Sequence, residues 1–458
     1  MLKKGILVIF KANIISLLFN LLTSFLLPKY LTVDSYAAIK TFQLYVTYVG
    51  LFHLGYADGM YLKYGGISAA KIDSEGLKSD IDTLIVFQLV VTCVTVAISS
   101  VLRDWIWFAF SLSIFPLNVA SYYKLLFQAT GEFERYGKIT NITTFFTFAI
   151  NMLLLFAAQC VGDARPYVVM YLVVDFVILL ILERAVRSEF KITYIKASFE
   201  WKVLFDNIKN GILLMLGNLS TAVFTGMDRW FVKVLLDVVA FAQYSFAVSI
   251  ENFLNVAITP ISVTFYNYFC IHRKSEDQKM LLRYIMIFGS VLPICLFPAK
   301  FVLEHYLVHY LDSMKVITFL FAAQSYAIIN KCIYINLYKS QRKQKRYFVK
   351  LIIVIVMGFL FNVLFYLLIR DKVAFAIGTM CSNIFWFALS SIDFPELKLS
   401  IRELTYLASE SALLIIFGNN LQSIIGFFAY GISTCILTLF IMRDSMKQLM
   451  SIIKLKGM

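Results

Sequence analysis

Apolar stretches long enough to cross a bilayer recur along almost the whole chain. Their approximate limits are 9–28, 39–62, 81–101, 106–126, 139–161 and 167–183, followed after a basic stretch from Arg184 to Lys209 by 210–234, 239–268, 284–303, 316–338, 350–369 and 373–392. Two shorter stretches, near 404–420 and 422–441, close the series. A hydrocarbon core about 30 Å thick needs about 20 helical residues, so the pattern predicts membrane spans. The runs do not alternate apolar with polar, which argues against a transmembrane barrel and leaves helices, whose backbone groups are satisfied within each segment. The expected fold class is therefore an all-α polytopic membrane protein. Fourteen spans are expected, with twelve as the alternative, because only Asn419 and Asn420 separate the last two stretches.

Composition supports this reading. The chain has 458 residues, 60% hydrophobic and 15% charged, with a mean hydropathy of +0.78. Soluble domains are about 45–50% apolar and about 25% charged, so lipid has to cover much of this surface. Of the 42 Lys and Arg residues, 31 fall in segments that are cytoplasmic if the N-terminus is inside, 10 fall outside, and Lys331 lies within a helix. That bias follows the positive-inside rule and sets both termini in the cytoplasm. An even number of spans also brings the basic tail (Arg443, Lys447, Lys454, Lys456) inside. The net charge of +14 does not indicate nucleic-acid binding, because the basic residues are spread over short interhelical loops. The densest clusters are Arg184/Arg187/Lys191/Lys196/Lys202/Lys209 and Arg342/Lys343/Lys345/Arg346/Lys350. They anchor topology or meet anionic lipid headgroups or a phosphorylated substrate. The first apolar run lacks a small-x-small cleavage pattern and reads as the first membrane helix.

The chain also carries signs of duplication. Lys3-Lys4-Gly5-Ile6-Leu7 opens the first helix as Lys209-Asn210-Gly211-Ile212-Leu213 opens the seventh. Tyr30-Leu31-Thr32-Val33-Asp34-Ser35-Tyr36-Ala37 is matched by Leu235-Leu236-Asp237-Val238-Val239-Ala240-Phe241-Ala242. The nearly constant spacing predicts two six-helix lobes, 1–183 and 210–392, around a central cavity. A basic connector at 184–209 joins them, and 393–458 forms a terminal helix pair and tail. No interhelical gap is large enough for a soluble domain. That speaks against a membrane glycosyltransferase, polysaccharide polymerase or ligase, for which a substantial external loop is expected, and for a transporter rather than an enzyme.

Ionisable residues at membrane depth are costly and mark cavities or partners. Asp58, in Leu54-Gly55-Tyr56-Ala57-Asp58-Gly59, is either a helix-terminal charge or part of a cavity or gate. His53 beside it packs helices or carries a proton. Asp175 falls mid-helix. Asp228 and Arg229, adjacent in sequence, point to different faces. Glu251 lies within the run 239–268 and has to face water, a cation or a base. Lys331, alone in the run 316–338, either pairs with one of these carboxylates or makes a cationic cavity for a phosphate-bearing substrate. Glu410 reads as an anchor of the terminal pair. Pro28, Pro116, Pro260 and Pro293 can kink their helices. The seven Cys show no CxxC and the four His no HExxH spacing, so neither a metal nor a cofactor is expected. No Gly-rich phosphate loop or nucleophile elbow is present, so energy input falls to a proton or sodium gradient, a substrate gradient or a partner.

With the opening helix, the turn Leu26-Leu27-Pro28-Lys29-Tyr30-Leu31-Thr32-Val33-Asp34-Ser35-Tyr36 and the passage Leu54–Gly59, the chain resembles bacterial O-antigen and capsule flippases of the multidrug/oligosaccharidyl-lipid/polysaccharide exporter superfamily. Asp228-Arg229 followed by Ala240-Phe241-Ala242-Gln243-Tyr244-Ser245 is similar to the passage opening that family's second half. The resemblance implies a two-lobed bundle in the bacterial cytoplasmic (inner) membrane. The implied substrate is a polyprenyl-pyrophosphate-linked oligosaccharide, moved to the outer leaflet, with a polysaccharide polymerase and assembly proteins as partners in the membrane. By position it implies Asp58, Arg229, Glu251 and Lys331 as cavity residues, with His53, Asp175 and Asp228 as secondary candidates. A multidrug or metabolite exporter of the same superfamily is the alternative.

Overall fold

The computed structural model describes residues 2–192, 199–271 and 274–448; Lys196 of the basic connector and Lys454 and Lys456 of the tail lie outside the described residues. Every regular element among the described residues is helical. Among the described residues nine helices are long and apolar enough to cross a bilayer, ten when one bent pair is taken as a single span. With the shorter and more polar helices between them, the described residues form eighteen α-helices. The chain is an all-α polytopic membrane protein. It divides into two compact units, Met1–Val223 and Phe224–Met458.

The first unit holds α1 (Leu2–Tyr30), α2 (Val33–Val46), α3 (Tyr56–Tyr64), α4 (Ser74–Leu102), α5 (Trp105–Ala129), α6 (Phe133–Met152), α7 (Arg165–Glu189) and most of α8 (Trp201–Leu235). Its core gathers Tyr56 and Met60 of α3, Leu77, Ile81 and Leu84 of α4, Tyr122 and Leu126 of α5, and Leu182 of α7. The outer face of α4 is the reverse: Val90, Val94 and Ile98 are exposed. On a water-soluble protein such a stripe would be an aggregation hazard, whereas in a bilayer it is the solvated face.

The second unit contains the end of α8, then α9 (Val238–Glu251), α10 (Leu254–Ile271), α11 (Ser275–Val291), α12 (Leu296–His305), α13 (Met314–Ile329), α14 (Ile335–Ser340), α15 (Gln344–Ile369), α16 (Lys372–Ser391), α17 (Ile401–Asn420) and α18 (Ser423–Ile441). The α13–α14 rod is its hub. In its most apolar stretch 89% of the residues are buried, against 17% for α15, which faces lipid. Short polar side chains fix where the rods begin. Thr32, Asp73, Asp104, Asp237 and Asp371 each accept a hydrogen bond from a first-turn amide, and Ser400 with Glu403 forms a reciprocal capping box on α17.

Two of the expected spans are not continuous helices. The run 39–62 is split into α2, a 3₁₀ turn Val49–His53 and α3, because Leu54 (φ 51°) and Gly55 (φ 87°) take left-handed conformations that no helix can absorb. The run 239–268 breaks after Glu251 and bends by 43°. Here Asn255 Nδ2 donates to Asn252 Oδ1 over 3.1 Å, so the two amides bond each other across the break. Glu251 is therefore the last residue of α9 and not an interior residue of a long helix. The broken segments correspond: α2 and α9 both span 14 residues, each begins with a Val after an N-cap, and each breaks at its end.

Candidate functional site

In the first unit the break itself builds the polar site. A 3₁₀ turn does not use its carbonyls as an α-helix does, and one of them, Phe52 O, accepts from Gln88 Nε2 of α4 at 3.2 Å. Gln88 Oε1 in turn accepts from Asn118 Nδ2 of α5 at 2.8 Å, and both amide side chains are fully buried. His53 closes the turn: its Nδ1 accepts from the Gly55 amide at 3.1 Å, and its Nε2 lies 3.9 Å from Asp58 Oδ2. The other carboxylate oxygen of Asp58 accepts from Asn218 Nδ2 of α8 at 3.1 Å. His53 and Asp58 are thus brought together and both are buried.

Glycines hold this site against α8. A Cβ on Gly211 would lie 2.0 Å from Gly55 O and 2.2 Å from Gly59 N, and one on Gly59 would lie 2.0 Å from Asn207 O. Backbones approach this closely only where no side chain intervenes.

In the second unit a polar seam runs along the α9–α10 break. Gln324 Nε2 of α13 donates to Glu251 Oε1. Lys331 sits in a π-helical turn, Asn330–Tyr334, between α13 and α14. Its ammonium donates to Asn255 Oδ1 at 2.8 Å. The wider π turn disturbs the usual carbonyl pairing. The Lys331 carbonyl accepts instead from Ser262 Oγ at 2.9 Å and from Asn336 Nδ2 at 3.3 Å. Asn336 Nδ2 also reaches Ser262 O at 2.8 Å, tying α14 to α10. Lys331 and Glu251 are close enough for their charges to be felt, but among the described residues Lys331 has no carboxylate within 4.0 Å.

Asp228 of α8 is buried and accepts from Tyr244 Oη at 2.7 Å and from Thr379 Oγ1 at 3.3 Å. It lines a small hollow with Asn362 and Ser382, where Asn362 Oδ1 has no hydrogen-bond partner. Arg229 is half-buried, with its Nε enclosed and unbonded. Asp175 of α7 lies apart from the His53–Asp58 pair, where it feels the charge of Lys124 of α5. Glu410 is fully buried between α17 and α18 and accepts from Thr434 Oγ1 at 2.8 Å.

Sequence reasoning missed several of these groups. Gln88 and Asn118 are uncharged and carry no motif. Lys124 and Lys300 fall near the ends of the runs 106–126 and 284–303 and carry no motif; Lys300 is 7% exposed and donates to Gly418 O at 2.7 Å and Leu421 O at 2.6 Å. Among the described residues no three His, Cys, Asp or Glu side chains gather to hold a metal ion.

No family model matches the chain, and no curated protein matches it. Solved structures do. A lipid II flippase MurJ in an inward closed conformation superposes with a TM-score of 0.67 at 14% identity, covering 96% of this chain and 99% of the flippase. An inward-facing multidrug resistance MATE family transporter of the MOP superfamily gives 0.59 at 13% identity, covering 83% of this chain and 95% of the transporter. A Vibrio cholerae MATE transporter gives 0.54 at 13% identity, covering 91% of this chain and 98% of its own. The chain has the MOP-type fold that these transporters share.

Proposed function

We propose that the chain is a flippase that carries a polyprenyl-pyrophosphate-linked oligosaccharide from the cytoplasmic to the outer leaflet of the bacterial cytoplasmic membrane. The observation that carries this reading is the pair of corresponding broken helices, each with polar side chains gathered at the break, buried in the first unit and half-buried in the second. A bilayer-spanning helix that only anchors gains nothing from an interruption. Irregular backbone and ionisable side chains at membrane depth persist where they line a substrate or ion path. A pyrophosphate and its sugars cannot cross hydrocarbon unaided, because burying charge without compensation is prohibitive. In this reading Lys331 and Arg229 assist the anionic headgroup, and Glu251 and Asp58 pair with cations or bond the sugars.

The flippase among the neighbours matches this chain over nearly its whole length, whereas the MATE transporters leave more of it uncovered; this favours a lipid-linked substrate. A second reading, a cation-coupled exporter of small molecules, draws on the Asp228–Thr379–Asn362 hollow, whose oxygens suit a small cation. The same hollow would serve sodium or proton coupling in a flippase. The protein acts as a transporter without a cofactor of its own, beside a polymerase and assembly proteins that take up the flipped unit.

The test is the sidedness of lipid-linked oligosaccharide in spheroplasts with and without the protein, read with a membrane-impermeant lectin and with total glycolipid extracted alongside. Glycolipid trapped on the inner leaflet in its absence, and released on re-expression, supports flipping. Unchanged sidedness with normal surface polymer rejects it in favour of efflux.

A further inference from the structure

We propose that the turn joining α14 to α15 is a phosphate-binding site. The argument is an internal comparison between two turns that share one backbone. In the first unit, the end of α5 and the start of α6 are closed by Thr130 N–H to Leu126 O (3.0 Å), Gly131 N–H to Gln128 O (3.3 Å), Glu132 N–H to Phe127 O (2.8 Å) and Tyr136 N–H to Glu132 O (3.2 Å). In the second unit the same four bonds recur 211 positions on: Gln341 N–H to Leu337 O (2.9 Å), Arg342 N–H to Lys339 O (3.2 Å), Lys343 N–H to Tyr338 O (2.8 Å) and Tyr347 N–H to Lys343 O (3.0 Å). The left-handed residue falls at the same place, Gly131 (φ 82°) and Arg342 (φ 56°).

Side chains common to both turns hold the turn. Arg135 pairs with Glu189 and Arg346 lies 3.9 Å from Asp393, while Tyr136 and Tyr347 follow each. At four positions around the turn the change adds positive charge, while just beyond it Lys138 gives way to Val349. Gln128, Gly131, Glu132 and Glu134 become Lys339, Arg342, Lys343 and Lys345. The first unit shows that this backbone forms without those basic groups. It also shows glycine at the left-handed position, where the second unit puts an arginine against the conformational preference of an L residue.

Lys343 lies over the Phe394 ring at 5.1 Å, and Lys350 with Arg346 neutralises Asp393. Lys339, Arg342 and Lys345 are exposed, and among the described residues none has an acidic partner within 4.0 Å. Beside them opens a hollow of about 500 Å³ lined by Phe269, Gln278, Ser340, Gln341 and Arg342. An arginine lining a polar hollow, with exposed lysines close by in the same turn, suits a phosphate or pyrophosphate group. The charge bias along the chain places this turn on the cytoplasmic side, where the group belongs either to an anionic phospholipid or to a soluble or substrate-borne pyrophosphate.

The experiment uses the full-length protein in nanodiscs at 150 mM salt. One arm titrates inorganic pyrophosphate into discs of phosphatidylcholine, and the other measures the thermal shift caused by adding phosphatidylglycerol to the discs. The variant Lys339→Gln/Arg342→Gly/Lys343→Glu/Lys345→Glu installs the first unit's side chains on the same backbone. The milder Arg342→Gly/Lys345→Gln leaves enough positive charge for topology, which protease protection of the tail checks. Lys398→Gln/Arg402→Gln, which removes the same two charges as the milder variant from exposed positions, is the control. Pyrophosphate binding weakened at least tenfold in both variants, or a phosphatidylglycerol shift lost in both, supports the site, and the responding arm identifies the source of the phosphate. No response in either arm by the correctly inserted parent, or a response that both variants keep, overturns it. The proposal rests on the two turns and not on the substrate assigned above, so its failure leaves that assignment standing.

Discussion

The close crossing of α3 on α8 makes a quantitative prediction, because α8 carries two glycines with opposite surroundings. At Gly211 an added Cβ would sit 2.0 Å from Gly55 O and 2.2 Å from Gly59 N. Both atoms belong to backbone, and no side-chain rotation relieves them. Ordinary carbon–oxygen contact lies above about 3 Å, so Gly211→Ala has to drive the two helices apart by about 1 Å. Overpacking of a closed core costs about 1–3 kcal/mol, and backbone on both sides puts this site at or above the top of that range. At Gly217, on the same helix, an added Cβ meets nothing within 4 Å. Gly217→Ala should therefore gain the helix preference of alanine, about 0.5–1 kcal/mol. The assay is the melting temperature of detergent-solubilised fluorescent fusions, read by size exclusion after heating. Gly217→Ala should melt at or above the parent and Gly211→Ala several degrees below. Equal melting of the two variants, or Gly211→Ala above the parent, would refute the close crossing.

Three further outcomes follow. Glu251→Gln and Lys331→Ala each weaken or remove a half-buried charge-assisted hydrogen bond, and each should slow flipping about tenfold or more at normal expression; wild-type sidedness in both would remove them from the transport path. Gln88→Leu strands the Phe52 carbonyl and the Asn118 amide, and should destabilise the first unit by about 1–3 kcal/mol per group in the same melting assay. At Asp393 burial works against the charged form, but hydrogen bonds from Lys350 (2.8 Å) and Tyr338 (2.6 Å) and the charge of Arg346 outweigh it and hold the carboxyl below its ordinary value. A carboxyl depressed on folding stabilises above its unfolded pKa, and that contribution is lost as pH falls through the folded value. Parent stability should therefore drop below about pH 4 more steeply than that of Asp393→Asn, and identical acid profiles would count against the pairing.

The helical runs were legible because they are long and uninterrupted. The expected 373–392 and 422–441 are α16 (Lys372–Ser391) and α18 (Ser423–Ile441), and Asp104 and Asp371 mark the starts of α5 and α16 as caps should. The breaks were not legible. Proline was an uneven guide: Pro293 lies in the 3₁₀ turn Leu292–Cys295 that separates α11 from α12, but α1, α5 and α10 run through Pro28, Pro116 and Pro260, and the interruptions at Leu54-Gly55 and Asn252-Phe253 contain no proline. A glycine in an apolar run signals close packing as readily as a turn, and here it serves both purposes. The π turn around Lys331 has no compositional signature, so Lys331 could be placed in its helix but not matched to Asn255. Long side chains are illegible in the same way: Lys300, inside the run 284–303, reaches the carbonyls of Gly418 and Leu421 at the α17–α18 link, a contact that no spacing announces.

The break in the first unit separates two pieces that are anchored to different neighbours. In the first unit α3 is fastened to its neighbours through Asp80 of α4, which is fully buried. Asp80 Oδ2 accepts from Lys63 Nζ at 2.7 Å and Tyr64 Oη at 2.6 Å, Asp80 Oδ1 accepts from Asn207 Nδ2 at 3.2 Å, and the Asp80 carbonyl accepts from Tyr56 Oη at 2.7 Å. With the glycine crossing added, α3 belongs mechanically to α4 and α8. On the other side of the break α2 packs on α5, with the Tyr45 ring 5.1 Å from Trp107. Motion in this segment is thereby confined to Thr47–Gly55, the stretch that carries His53 and adjoins Asp58. Asp80→Ala tests this division. It strips three donors of their acceptor at once, and although Lys63 is half-exposed and recovers water, Tyr64 and Asn207 do not, so the cost should reach about 3 kcal/mol or more. Hydrogen exchange separates this from general unfolding: the amides of α3 should lose protection while those of α2 keep theirs. Equal loss in both helices would mean that the segment opens as one piece and that the break is not a joint.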